Sequence, residues 1–184
     1  CAAFGLLVAI ERFLRLHRGS FAPAALAEQA PRLYAAGDLD GLKKLCAGNG
    51  SALAKILTFA VENRNAGFDV INEGAAEIAS REVAKLHGMN QYIAVSAQIA
   101  PLLGLFGTVV GMIASFTVVA VAGDIGDTSM VADGISVALI TTMFGLIVAI
   151  PGLALHHFFK GRINALGLVL EEVASTTLRK MFVK

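Results

Sequence analysis

Between Leu86 and Phe159 the chain carries no lysine or arginine, although fifteen of these residues stand elsewhere. The only charges in that interval are Asp124, Asp127 and Asp133, all in one short stretch. They separate two uncharged runs, Tyr92–Ala122 of thirty-one residues and Ile135–Phe159 of twenty-five. About twenty apolar residues cross a bilayer core as a helix, so either run is long enough. In hydrocarbon the backbone must satisfy its own polar groups, which leaves the helix as the form such a run can take. The pattern therefore predicts an all-α membrane protein whose few intramembrane polar residues can be inspected one by one.

Composition agrees. The hydrophobic fraction is 56% and the mean hydropathy +0.70, well above a soluble domain. A net charge of +1 offers no bulk basic character for nucleic acid. The two cysteines, Cys1 and Cys46, stand far apart with no CxxC and no companion histidines, so neither a disulfide nor a metal site is expected. No cofactor and no catalytic constellation is expected, and the chain does not read as an enzyme.

Charge placement gives the organisation. Residues 1–16 open on an apolar run, CAAFGLLVAI, and end among Glu11, Arg12 and Arg15. Ten residues make about 15 Å of helix against roughly 30 Å of hydrocarbon. This run is expected to be the inner end of a first transmembrane helix that starts before Cys1. Residues 17–90 are polar and charged and form the expected cytoplasmic helical domain. Gly37-Asp38 and AGNGS (47–51) mark turns there, and Ser51 is placed to cap the helix that follows. Leu53, Ile56, Leu57, Ala60 and Val61 repeat at helical spacing. Val70, Ile71, Ile78, Val83 and Leu86 continue an apolar stripe opposite Glu73, Glu77, Arg81, Glu82 and Lys85, with Glu77–Arg81 a favourable i,i+4 pair. Residues 91–122 form the second span, about 46 Å as a helix, so it must tilt or protrude. Residues 123–134 form a periplasmic loop, with an N-cap available at Asp127-Thr128-Ser129 or at Asp133. Residues 135–159 form the third span and 160–184 a cytoplasmic helix. Basic residues flank the spans on one side, which places the N-terminus outside and the C-terminus in the cytoplasm.

The polar residues within the spans fall on small faces. In the second span Pro101, Thr108 and Ser115 are seven apart, close to one helix face, and Gly104, Gly107 and Gly111 make that side small. Such a face serves either as a tight helix–helix seam or as a pore wall with Thr108 as its polar rung. In the third span Thr142 shares its face with Ala138, Gly145 and Ala149, and Thr141 adds a second hydroxyl. Pro151 removes a backbone donor and frees the carbonyl near Ile147. A membrane threonine ordinarily bonds the carbonyl a turn before it. A hydroxyl at mid-span on a small face can also bond a carboxyl from another chain. This chain has no carboxylate within either run, and a proton path needs an ionisable group, so a partner must bring the acid. His156 and His157, with Phe158 and Phe159, read as interfacial anchors.

APLLGLFGTVVGMIASF (100–116) followed by VALITTMFGLIVAIPGL (137–153) resembles the signature of the ExbB/TolQ/MotA proton-channel family, most closely its ExbB/TolQ branch. AAEIASREVAKL before the second span fits the same pattern, whereas residues 17–60 agree only in general character. The resemblance implies a homopentamer of three-span subunits in the bacterial inner membrane. In its central pore stand two copies of a single-span ExbD-, TolR- or MotB-like partner with one intramembrane aspartate. It further implies that Thr108 and Thr142 face that aspartate, that Thr141 borders the ion pathway, and that Pro101, Gly104, Ser115, Ala138 and Gly145 contact the partner helix or line the pore. The transported ion is then a proton, with sodium as the alternative, and protonation cycles drive mechanical work. One elementary charge crossing about 100 mV releases roughly 2.3 kcal/mol, enough to bias a step.

Two positions depart from the pattern. Many members of the branch carry a glutamate shortly before the second threonine, in a GIAEALxAT pattern, where GISVALITT (134–142) has Ser136-Val137. Thr141 stands where those branches often have alanine, and its hydroxyl is a reason to keep sodium open. Two rival readings remain: a MotA-like or gliding-type stator, which needs a fourth span, and a non-conducting membrane scaffold. A substrate transporter would show repeats and charged or discontinuous sites, and none is visible.

Overall fold

The computed structural model describes residues 21–122 and 128–183. The expected first span over 1–16 and loop residues 123–127 lie outside the described residues. Among the described residues all regular structure is helical: α1 (Ala24–Ala35), α2 (Leu39–Ala47), α3 (Ala52–Glu62), α4 (Phe68–Ala122) and α5 (Thr128–Phe182). No helix end falls near residue 90, because only Gly88 interrupts good helix formers there and one glycine costs just about 1 kcal/mol. Helix α5 is described from Thr128, at the earlier of the two anticipated caps.

The chain divides into two compact units, residues 90–158 in one and the remaining described residues in the other. The second unit is built like a soluble domain. Gly37, at φ 77°, takes the left-handed turn between α1 and α2 that a Cβ would disfavour. Asp38 then caps α2 by accepting from the Gly41 N–H at 2.8 Å. Ser51 caps α3 as expected, its hydroxyl accepting from the Ala54 N–H at 3.2 Å. The stripe on α3 is fully buried, and Leu42, Cys46, Ile71, Leu170 and Leu178 join it in one core. On α4 the buried stripe differs from expectation. It runs Ile71, Ala75, Ala79, while Val70 is 56% exposed. Beside this stripe α3 approaches closely at Gly74, where a Cβ would strike the Phe59 ring.

Two titratable groups in this unit are shifted. Burial pushes the Cys46 thiol up, opposed in part by a hydrogen bond with Thr58. Burial would also raise Glu82. Its hydrogen bonds from Lys55 at 2.9 Å and Lys85 at 2.7 Å, with the charges of both, outweigh that and hold its carboxyl below the ordinary range. The Glu77–Arg81 pair forms as expected, with both side chains exposed.

The first unit consists of residues 90–122 of α4 and 128–158 of α5. Both helices are long and apolar enough to cross a membrane. Their large side chains, Leu102, Leu105, Phe106, Ile113, Leu139, Phe144 and Ile150 among them, are exposed. In water such a surface would be untenable for a monomer; in lipid it is the ordinary outer face of a span.

Candidate functional site

The small faces of α4 and α5 meet each other. Their contacts run antiparallel, from Ala97 opposite Gly152, through Gly104 opposite Thr141 and Thr142, to Ser115 opposite Gly134. A Cβ added to Gly145 would lie 2.8 Å from the Ala100 carbonyl oxygen and 3.3 Å from the Gly104 and Pro101 Cα atoms. One added to Gly104 would lie 2.9 Å from the Thr142 Cα. A Cβ on Gly111 would lie 3.0 Å from that of Ala138. Close approach of backbones maximises dispersion contacts, the main attraction between helices when lipid is as apolar as leucine. On each helix the inward positions recur about every seven residues: Asn90, Ala97, Gly104, Gly111 on α4 and Ala138, Gly145, Gly152 on α5. That period keeps one face inward along the pair.

Within the chain the glycine face forms a helix–helix seam. Gly104, Ser115, Ala138 and Gly145, expected against a partner helix or a pore, lie between α4 and α5, Ala138 at 2% exposure and Ser115 at 8%. A small face which suits a partner helix suits the chain's own neighbouring helix equally well. Pro101 is half-buried on the edge of the same seam.

The three threonines differ. Thr108 is half-buried, and its hydroxyl donates to the Leu105 carbonyl of its own helix at 2.6 Å. Thr141 reaches across the seam. Its hydroxyl lies 2.7 Å from the Ala138 carbonyl and 3.2 Å from the Gly104 carbonyl of α4. Gly107 makes room for it, since a Cβ there would lie 2.6 Å from the Thr141 Oγ1. Thr142 is half-buried too, but its Oγ1 is enclosed and has no hydrogen-bond partner. A buried hydroxyl without a partner is costly, and this one lies mid-span in a helix pair that contains no charged side chain from Asn90 to Thr117 or from Gly134 to Phe158.

A further polar pair was not anticipated. Asn90 is 1% exposed, and its Nδ2 donates to the His156 backbone carbonyl at 3.1 Å. The His156 Nδ1 lies 3.1 Å from that Nδ2 and 3.2 Å from the Asn90 backbone carbonyl. His156, expected only as an interfacial anchor, is thus tied into the seam, while His157 is exposed. The signal available beforehand was the seven-residue spacing Asn90–Ala97–Gly104, which puts Asn90 on the small face.

Comparison with known proteins bears on this geometry. A model of the MotA/TolQ/ExbB proton channel family matches residues 49–172. The chain is 37% identical over 89 residues to the biopolymer transport protein ExbB of Salmonella typhimurium, covering 48% of this chain and 36% of that protein. It is 34% identical over 109 residues to the Tol-Pal system protein TolQ of Haemophilus influenzae, covering 57% and 47%. It is 37% identical over 98 residues to TolQ of Pseudomonas aeruginosa, covering 51% and 42%. The chain thus spans less than half the length of each of these relatives.

Proposed function

The chain belongs to the MotA/TolQ/ExbB proton channel family, with ExbB and TolQ proteins among its relatives, and on that premise we propose that it is an ion-driven stator subunit of the bacterial inner membrane. It assembles as a homopentamer of three-span subunits, N-terminus periplasmic and C-terminus cytoplasmic. Two copies of a single-span ExbD/TolR-like partner occupy the centre and supply the intramembrane aspartate. Protons carried by that aspartate, with sodium as the alternative ion, drive mechanical work across the envelope.

The observation that carries this reading is the unpartnered Thr142 hydroxyl in spans devoid of carboxylates. A charged aspartate in hydrocarbon needs a polar niche, and a hydroxyl that is not consumed by its own helix supplies one without adding fixed charge. A χ1 rotation turns the Thr142 Oγ1 out of the enclosed position when a carboxyl arrives. Thr108 has spare lone pairs for the same purpose, since its only bond is a donated one to Leu105. Thr141 is the weakest member of the expected pathway, because its hydroxyl is engaged by two carbonyls in the seam.

Thr142→Val removes the hydroxyl and keeps the shape. With the partner co-reconstituted in proteoliposomes, it should cut ion flux about tenfold, the effect of losing one hydrogen bond to a charged group of about 1.5 kcal/mol. Normal assembly with unchanged flux would sink the ion-path role. The second reading, a non-conducting scaffold, draws on the seam itself, where Gly104, Ser115, Ala138 and Gly145, expected as partner-helix or pore contacts, pack α4 against α5. A cryo-EM map of the chain with its single-span neighbour separates the two: five copies around two partner helices support the stator, and a smaller assembly with no central helix supports the scaffold.

A further inference from the structure

We propose that neighbouring copies of this chain are joined inside the membrane by a hydrogen bond from the Gln98 side-chain amide of one subunit to the Ile147 backbone carbonyl of the next. The inference rests on the homopentamer proposed above and names a contact that closes it.

Pro151 supplies the acceptor. It stands inside α5 and has no N–H, so the Ile147 carbonyl one turn earlier loses its ordinary helical partner. Ile147 is 55% exposed and Pro151 is exposed too. Pro151 lies about 9 Å of helix on the membrane side of His157. A carbonyl left unpaired in hydrocarbon is costly.

Gln98 supplies the donor. It is the only amide side chain between Tyr92 and Phe159. It is exposed, and among the described residues it makes no hydrogen bond. Polar side chains within spans ordinarily bond across to another helix.

The two groups share one depth. Ala97 packs against Gly152, where an added Cβ would lie 2.8 Å from that of Ala97. Gln98 and Pro151 each stand one position further toward the middle of the span, so they are level. The Ile147 carbonyl points along its helix toward Pro151 and so reaches the same level.

They also occupy opposite edges of the helix pair. Gln98 is about 120° round α4 from the seam-facing Gly104, on the side that holds Pro101 and Thr108. Ile147 is almost opposite Gly145 on α5 and faces away from the seam. The two groups therefore cannot meet within one chain. With the Thr108 and Thr142 side turned to the centre of a ring, the α4 edge of each subunit meets the α5 edge of the next. A ring closes when two different patches of one subunit fit together without an axial step. A donor and an acceptor at equal depth on opposite edges meet that condition.

The test uses full chains carrying Cys1→Ala and Cys46→Ala, co-expressed in membranes with the single-span neighbour. One chain adds Gln98→Cys and another Ile147→Cys. A short bifunctional thiol reagent should give covalent dimers when the two are expressed together and none when either is expressed alone. The hydrogen bond itself is read from Gln98→Leu, which removes the donor, and Pro151→Ala, which returns the N–H that engages the carbonyl. Each should weaken subunit association about threefold per interface, the size of a typical interhelical bond in a membrane. The double variant should lose no more than either single one. Native mass spectrometry of the diluted complex measures these losses. A pentamer without mixed dimers, cross-linking of Gln98→Cys to the single-span protein instead, or additive losses in the double variant overturns the proposal and leaves the stator reading standing. Absence of any closed ring overturns both.

Discussion

The two units of this chain bury opposite kinds of residue. In the unit that includes α1–α3, the interior holds large side chains, Leu42, Leu53, Ile56, Leu57, Leu170 and Leu178, each fully buried. In the α4–α5 pair the interior is mostly alanine and glycine, with Ala94, Ala97, Ala100, Gly104, Ala138, Gly145 and Ala149 buried, while leucines and phenylalanines face outward. Surrounding water explains the first, because removing large apolar surface from water is the driving force. It offers nothing to the second. In lipid an exposed leucine costs nothing, and attraction comes from backbones brought close together. One chain therefore obeys two packing rules, and the change falls where lysine and arginine vanish from the sequence.

The sharpest way to break this comparison is to shrink a large residue in the first setting. Leu57→Ala leaves a cavity in the α3 core, where Leu57 is fully buried, and should cost about 2–5 kcal/mol. Thermal or denaturant unfolding in detergent, read from signals of the soluble helices, measures it. The same change at Leu139, exposed in the span, should leave the pair's stability unmoved. A comparable loss at both positions would refute the claim that two rules operate.

The converse experiment enlarges a small residue in the second setting. Gly145→Val puts its Cβ 2.8 Å from the Ala100 carbonyl oxygen, and backbone cannot step aside as a flexible side chain would. Overpacking of this kind costs about 1–3 kcal/mol, here expressed as loosening of the α4–α5 pair. Disulfide trapping between cysteines placed across the pair would show it as a fall in cross-linking yield. Gly161→Val, at a position with open space around it, is the control and should lose only about the helix-propensity difference, with no effect on cross-linking.

Much of this was legible in the sequence. The spans, the polar stretch before them, the Ser51 cap and the α3 stripe all follow from spacing and composition, because each is a local pattern. What the sequence left open was which surface each small face meets. Gly104, Ala138 and Gly145 suit a partner helix and the chain's own helix equally, and only the pairing of α4 with α5 assigns them to the latter. Neighbours Thr141 and Thr142 illustrate the same limit: about 100° apart on the helix, one spans the seam and the other has no partner, a difference set by tertiary register. Asn90 was passed over because a single amide at the edge of a polar stretch resembles a solvated residue, and its partner lies sixty-six positions away.

The smallest expected effect uses acid to separate the units. Glu82 sits between Lys55 and Lys85, and its folded-state carboxyl is held below the ordinary value of 4.5. A lowered folded value means that the pairing contributes fully above the unfolded value, near pH 4.5, and is lost as pH falls through the folded one. Because both lysines are well exposed, 48% and 68%, the contribution is no more than about 1 kcal/mol. Glu82→Gln should remove it at pH 7 and flatten that part of the acid dependence. The seam from Asn90 to Thr117 and from Gly134 to Phe158 contains no carboxylate. The spacing of its helices, read from spin labels placed across the pair, should therefore hold steady through the same acid range while the other unit loses stability. If the seam loosened in parallel with it below pH 4.5, the two packing rules would not be energetically separable.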